Sequence, residues 1–133
     1  MTKIYPDLYQ FTDILEPIKL STHQYLLLTD EPVLIQTGAV PQAQASLPQI
    51  AELLGDKTLK YILISHFESD ECGGLSLVLQ EYPDAIPVCS EITARQRWGC
   101  CIAETIDIRK PGELRTANDF ATPKSAYLSE LHL

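Results

Sequence analysis

One imidazole and three carboxylates fall within six residues of one another: His66, Glu68, Asp70 and Glu71. The Cys72 thiol and a Gly73-Gly74 pair follow directly. Carboxylates brought this close repel each other, and burying them requires a counter-charge. A bound metal ion is the usual counter-charge at such a site. His66, Glu68 and Asp70 are spaced by two, so in an extended loop they point the same way. Oxygen-rich ligands with one nitrogen suit iron, manganese or zinc better than copper. The competing reading is a solvated acidic loop, because short clusters of this kind are hypotheses only.

The elements on either side decide where these groups stand. Tyr61 to Ser65 is an uncharged aromatic and aliphatic run, which reads as a buried strand. The apolar run from Leu75 opens a helix to Tyr82, stopped by Pro83-Asp84. The polar cluster therefore sits where a buried strand hands over to a helix.

The rest of the chain supplies partners for that strand. Ile4 to Leu15 is mixed and reads as a strand or a loop packing an edge. Thr22–Thr29 and Val33–Thr37 read as two strands joined by the Asp30-Glu31-Pro32 turn, a hairpin closed by Gly38. Leu47, Ile50, Leu53 and Leu54 have helical spacing, giving a helix over Ala43–Gly55 with Gly55 as its cap. The order strand, helix, strand implies a crossover and parallel pairing, hence an α/β fold. Ile86–Cys89 reads as a short strand. Ser90 is placed to cap a helix from Glu91 to about Cys101, and Thr105–Ile108 reads as a further strand.

Length and composition narrow the classes. A chain of 133 residues suits one domain. The net charge is −8 with Lys and Arg scattered, which argues against nucleic acid and against an anionic membrane surface. No apolar run approaches the ~20 residues of a spanning helix. The first residues lack a basic segment followed by an apolar one, so a cytoplasmic protein is expected. Cys72, Cys89, Cys100 and Cys101 do not make a disulfide framework, and no C-x-x-C is present. The adjacent Cys100 and Cys101 read as small buried hydrophobes rather than a redox pair.

The stretch from His66 to Gly74, H-F-E-S-D-E-C-G-G, resembles the H-x-[EH]-x-D-H-x-G-G signature of the metallo-β-lactamase superfamily. Glu68 at the third position is like the variant found in flavodiiron proteins, where hydrolases usually carry His. Glu71 departs from the signature, standing where a His is expected. T-H-Q-Y-L-L-L from Thr22 and V-L-I-Q-T-G from Val33 resemble the superfamily's opening strands, with Gln36 in place of a common Asp. In the family that Asp supports the loop of the metal site. Lys110-Pro111-Gly112-Glu113-Leu114 and His132 are similar in order to a later turn and His ligand of the di-iron branch.

The resemblance implies a four-layer αββα sandwich, of which this chain would hold the first half: a mixed sheet with helices on one side. One sheet face would then be too apolar to leave wet, and a homodimer is a natural way to close it. Carried over by position, His66 and Glu68 match first-metal ligands and Asp70 a second-metal ligand. Glu71 stands at a second-metal His, and His132 would complete a set with His66 and Glu68 that suits non-haem iron. His23 is read as structural. The implied cofactor is iron, as a di-iron site altered at Glu71, with zinc or no metal as alternatives. The implied activity is O2 or NO reduction with electrons from a partner protein. A non-catalytic assembly or sensing module and a zinc hydrolase are the other readings.

Overall fold

The computed structural model describes residues 1–16, 18–66, 68–90, 93 and 107–109. Among these described residues seven strands form one mixed sheet whose spatial order follows the chain: β1 (Thr2–Tyr5), β2 (Leu8–Leu15), β3 (Leu20–Leu27), β4 (Val33–Ile35), β5 (Tyr61–Ile64), β6 (Ile86–Ser90) and β7 (Asp107–Arg109). The pairs from β1 to β4 are antiparallel, and those from β4 to β7 are parallel. The switch falls where tight hairpins give way to helical crossovers, since parallel neighbours need a long connection. Ile4 to Leu15, ambiguous in sequence, is two strands around a Pro6-Asp7 turn.

The first crossover is α1 (Val40–Leu54). It begins three residues before the hydrophobic spacing suggests. Pro41 in the first turn needs no donor there, and Gln42 Oε1 accepts the Ala39 N–H at 2.6 Å. That bond satisfies an orphan amide without a capping side chain at Ala39. Gly55 ends the helix with φ +57, and its N–H reaches Ala51 O at 3.1 Å. The second crossover holds a single turn, α2 (Ser69–Cys72), and then α3 (Leu75–Glu81).

α1 and α3 cover one face of the sheet. Leu26, Leu34 and Ile62 lie side by side in register there, at most 1% exposed, against Ile50, Leu54, Leu75 and Val78. Burying each such side chain contributes about 1.5–3 kcal/mol. The opposite face is also apolar. Leu27, Val33, Tyr61 and Ile86 form one row across it, and Tyr25, Ile35, Leu63 and Val88 form the next. These side chains are only partly buried, and Leu63 is 38% exposed. The described residues thus form a mixed sheet with helices on one side.

The expected strand at Thr105–Ile108 is found as β7, shifted by about two residues. The expected helix over Glu91–Cys101 lies outside the described residues except at Thr93. There the Thr93 N–H donates to Ser90 Oγ at 3.2 Å, the bond an N-cap serine makes. Cys72 and Cys89 are buried, and Cys100, Cys101 and His132 lie outside the described residues. Among the described residues no helix is long and apolar enough to cross a membrane.

Candidate functional site

The acidic motif stands at the carboxyl end of β5, in the loop that leads into the second crossover. Ligand sites in open α/β sheets favour this end of the strands. Two glycine contacts hold the loop against its neighbours. Thr37 N–H and Gly38 N–H both donate to Glu71 O, at 2.8 and 3.2 Å, and Gly74 N–H donates to Gly38 O at 2.8 Å. A Cβ on Gly74 would collide with Ala43 Cβ on α1, so only glycine lets the two segments approach this closely. Thr93 Oγ1 adds a bond to Ser65 O at 3.2 Å from the far side.

His66 is oriented by a short chain of polar groups. Gln36 sits at the end of β4 with φ +63, a left-handed conformation that costs a non-glycine residue about 1–3 kcal/mol. Its backbone N–H donates to Leu63 O at 2.9 Å. Its side-chain Nε2 donates to Ser65 Oγ. Ser65 Oγ in turn lies 2.8 Å from His66 Nδ1. With Nδ1 engaged by Ser65, Nε2 is the nitrogen left to face Glu68 Oε2, at 3.6 Å. Ring orientation through the second nitrogen is how metal-binding imidazoles are commonly held. Gln36 Oε1 is buried and has no hydrogen-bond partner among the described residues.

Even spacing does not carry through the motif. Glu68 is extended, with φ −135 and ψ 152, but Ser69 to Cys72 turn into a helix. Glu68 O accepts the N–H groups of Glu71 and Cys72 at 3.1 and 2.9 Å. Local carbonyl satisfaction outweighs extension here, so Asp70 does not continue the alternation of His66 and Glu68. His66 and Glu68 are exposed, while Asp70 and Glu71 are half-buried. Burial pushes the Glu71 carboxyl above its ordinary range. His66 opposes that rise, Asp70 and Glu68 add to it, and His23 opposes it weakly.

That last influence brings His23, read from sequence as structural, into the electrostatic neighbourhood of Glu71. On β3 its Nδ1 lies 2.7 Å from Gln10 Nε2 and 3.0 Å from Thr12 Oγ1. Its distance from the motif in the chain gave no signal of this. Pairing of β3 beside β4 creates it.

A metal at this centre would draw on His66 Nε2 and the Glu68 carboxylate, which lie 3.6 Å apart, and on the carboxylates of Asp70 and Glu71. The donor types suit iron, manganese or zinc. Among the described residues, however, no three His, Cys, Asp or Glu side chains converge closely enough to hold an ion. His132, the fifth expected ligand, lies outside the described residues.

No family model matches the chain, and no curated protein matches it. Solved structures do. A metallo-β-lactamase from Pontibacter korlensis superposes with a TM-score of 0.70 at 23% identity, covering 87% of this chain and 54% of that one. The flavodiiron protein from Giardia intestinalis gives 0.72 at 20% identity, covering 86% and 31%. A histidine-to-alanine variant of the flavo-di-iron protein from Thermotoga maritima gives 0.67 at 22%, covering 82% and 30%. This chain thus spans about half the length of the first, 54%, and less than a third of the others, 31% and 30%. The sheet order, the motif at the end of β5 and these superpositions together identify the fold as part of the metallo-β-lactamase fold.

Proposed function

We propose that this chain is a metal-binding relative of the di-iron domains that handle O2 or NO, with a site altered at Glu71 and incomplete within the described residues. The observation that carries the reading is the His66–Glu68 pair. An imidazole oriented through Nδ1 presents Nε2 to a carboxylate 3.6 Å away, at the carboxyl end of a central strand. A carboxylate beside the imidazole favours iron or manganese, and the flavodiiron neighbours support iron. Glu71 in place of an imidazole retains a donor but adds negative charge that a second metal ion would have to offset. Electrons for O2 or NO reduction would come from a separate donor protein.

The centre needs groups from beyond the described part of the chain. The uncharged rows around Tyr25, Ile35 and Leu63 offer a surface for a second sheet, and a second copy of this chain is the occupant proposed here. That favours an assembly role in which catalysis depends on the completed sandwich.

The test is elemental analysis of the protein expressed with iron, manganese and zinc available, beside a His66→Ala variant. Near-stoichiometric iron in the parent, lost in the variant, supports the proposal. Stoichiometric zinc moves the reading to a hydrolase. Equal metal content in both proteins sinks the site.

A further inference from the structure

Two costs meet at the end of β4. Gln36 adopts φ +63, a left-handed conformation that a non-glycine residue keeps only where its surroundings impose it. The same residue is 7% exposed, and its buried Oε1 meets no donor among the described residues. Strain of this kind collects at positions that serve a site.

The contacts of Gln36 identify what the strain achieves. Parallel pairing of Ile35 with Leu63 brings the end of β4 beside the end of β5, and Gln36 N–H donates to Leu63 O at 2.9 Å. The side chain then reaches Ser65, with Nε2 donating to Ser65 Oγ. This orientation of the amide has a physical reason. Turned round, it would put an NH2 group with two hydrogens where one oxygen now lies buried. Orphaned buried N–H groups are rarer than under-satisfied carbonyl oxygens.

A donor on Ser65 Oγ decides where the next hydrogen points. The hydroxyl has one hydrogen of its own, and Gln36 Nε2 has no use for it. His66 Nδ1 lies 2.8 Å from the same oxygen. The hydroxyl therefore donates to Nδ1, Nδ1 presents its lone pair, and the proton of the neutral ring sits on Nε2. The donors run in one direction, from Gln36 to Ser65 to His66. A carboxylate at position 36 would run them the other way. It would take the Ser65 hydrogen, Ser65 Oγ would accept from Nδ1–H, and Nε2 would carry the lone pair.

We propose that Gln36, acting through Ser65, holds the neutral His66 ring as its Nε2–H tautomer. Gln36 is thus a positioning residue for the candidate centre. The tautomer itself involves no metal, and its consequence for uptake rests on the metal-binding reading of the site. A nitrogen that carries a hydrogen has no lone pair to give an ion. Uptake at Nε2 therefore requires the proton to leave Nε2 and one to be taken up at Nδ1, with the Ser65 hydroxyl turning away. Gln36 lowers the affinity of the centre by favouring the other arrangement.

The test is long-range proton–nitrogen NMR of the metal-free full chain with nitrogen-labelled histidine, at about pH 8.5, above the ordinary imidazole range. A His66→Asn variant assigns the His66 signals among the three histidines. The parent is expected to show Nε2 protonated and Nδ1 bare at His66. Gln36→Glu should reverse the two nitrogens, and it should not do so in a Ser65→Ala background. A merely structural role for Gln36 would not give that pattern. Zinc binding by chelator competition should tighten about tenfold or more in Gln36→Glu, as changes in groups that orient a metal-binding imidazole do. The proposal is overturned if His66 of the parent is the Nδ1–H tautomer, if Gln36→Glu leaves the tautomer unchanged, or if it acts equally without Ser65. Reversal with unchanged zinc affinity overturns the role in uptake. Reversal with no zinc bound by either protein supports the control of the tautomer and sinks the metal-binding reading instead.

Discussion

The Gln24 side chain donates to the Thr37 carbonyl across 2.7 Å, and through it strand β3 grips the loop that supports the acidic motif. Thr37 N–H and Gly38 N–H hold Glu71 O from the other side of the same loop. Gln24 therefore couples the hairpin to the candidate site without touching any of its carboxylates. Replacing Gln24 by Leu leaves the buried Thr37 carbonyl without its donor. A loss of about 1–3 kcal/mol is expected, the cost of an unmet buried acceptor, measured by urea unfolding. An unchanged midpoint would show that the tether is not structural.

Gly38 should be intolerant of any side chain. Its φ is +68, and a Cβ there would run into Gln24 Nε2 and stand 2.8 Å from Gln42 Cβ. Gly38→Ala should cost more than about 2 kcal/mol, from overpacking and backbone strain together. Adding Gln24→Ser should recover part of that loss, so the two changes together cost less than their sum. A double-mutant cycle by thermal unfolding reads the coupling. Strict additivity would contradict the collision.

Tyr82 gives an alkaline signature. Its hydroxyl is buried without a partner among the described residues, and its pKa is raised, by burial first and by Glu81 second. A group with a raised pKa in the folded state binds its proton more tightly there than when unfolded. The stability linked to it is complete below the unfolded pKa, near 10, and is lost as pH rises through the folded value. Tyr82→Phe should therefore be neutral or slightly stabilising at pH 7 and should flatten the decline above pH ~10. Denaturant melts at pH 7 and at alkaline pH compare the two proteins. A variant that declines as steeply as the parent would assign the alkaline loss elsewhere.

Leu63 tests the face that the described residues leave partly exposed. It is 38% exposed at the centre of the row joining Ile35 and Val88. If a second copy covers this face, Leu63→Asp places a charge in an apolar contact and should convert a dimer to monomer. Sedimentation over a range of concentrations reads the change. A parent protein that is monomeric throughout removes the self-association proposal and leaves the fold intact.

Much of the site was legible because the signals were local. The uncharged run Tyr61 to Ser65 had to form a strand, of which Ile62 and Ile64 are the buried members, and polar groups had to follow where it ended. Gly55 marks a helix end through a bond made within four residues, so its role could be read without a fold. The start of α1 was not legible in the same way, because its cap is a reach from Gln42 back to Ala39 rather than a capping residue type. Nor was the turn at Ser69–Cys72, where two amides compete for Glu68 O and pull Asp70 out of the alternation.

By itself the sequence determined the α/β class, the two hairpin strands around Asp30-Glu31-Pro32, and the placement of His66, Glu68, Asp70 and Glu71 after a buried strand. Periodicity and turn chemistry act over a few residues, and those features need nothing more. Tertiary structure alone decided that Gln36, Ser65 and His66 form one chain of contacts, that His23 is felt by Glu71, and that the described residues leave one apolar face only partly buried. Each of these depends on which strands lie side by side, and strand order is set by the packing of the whole sheet.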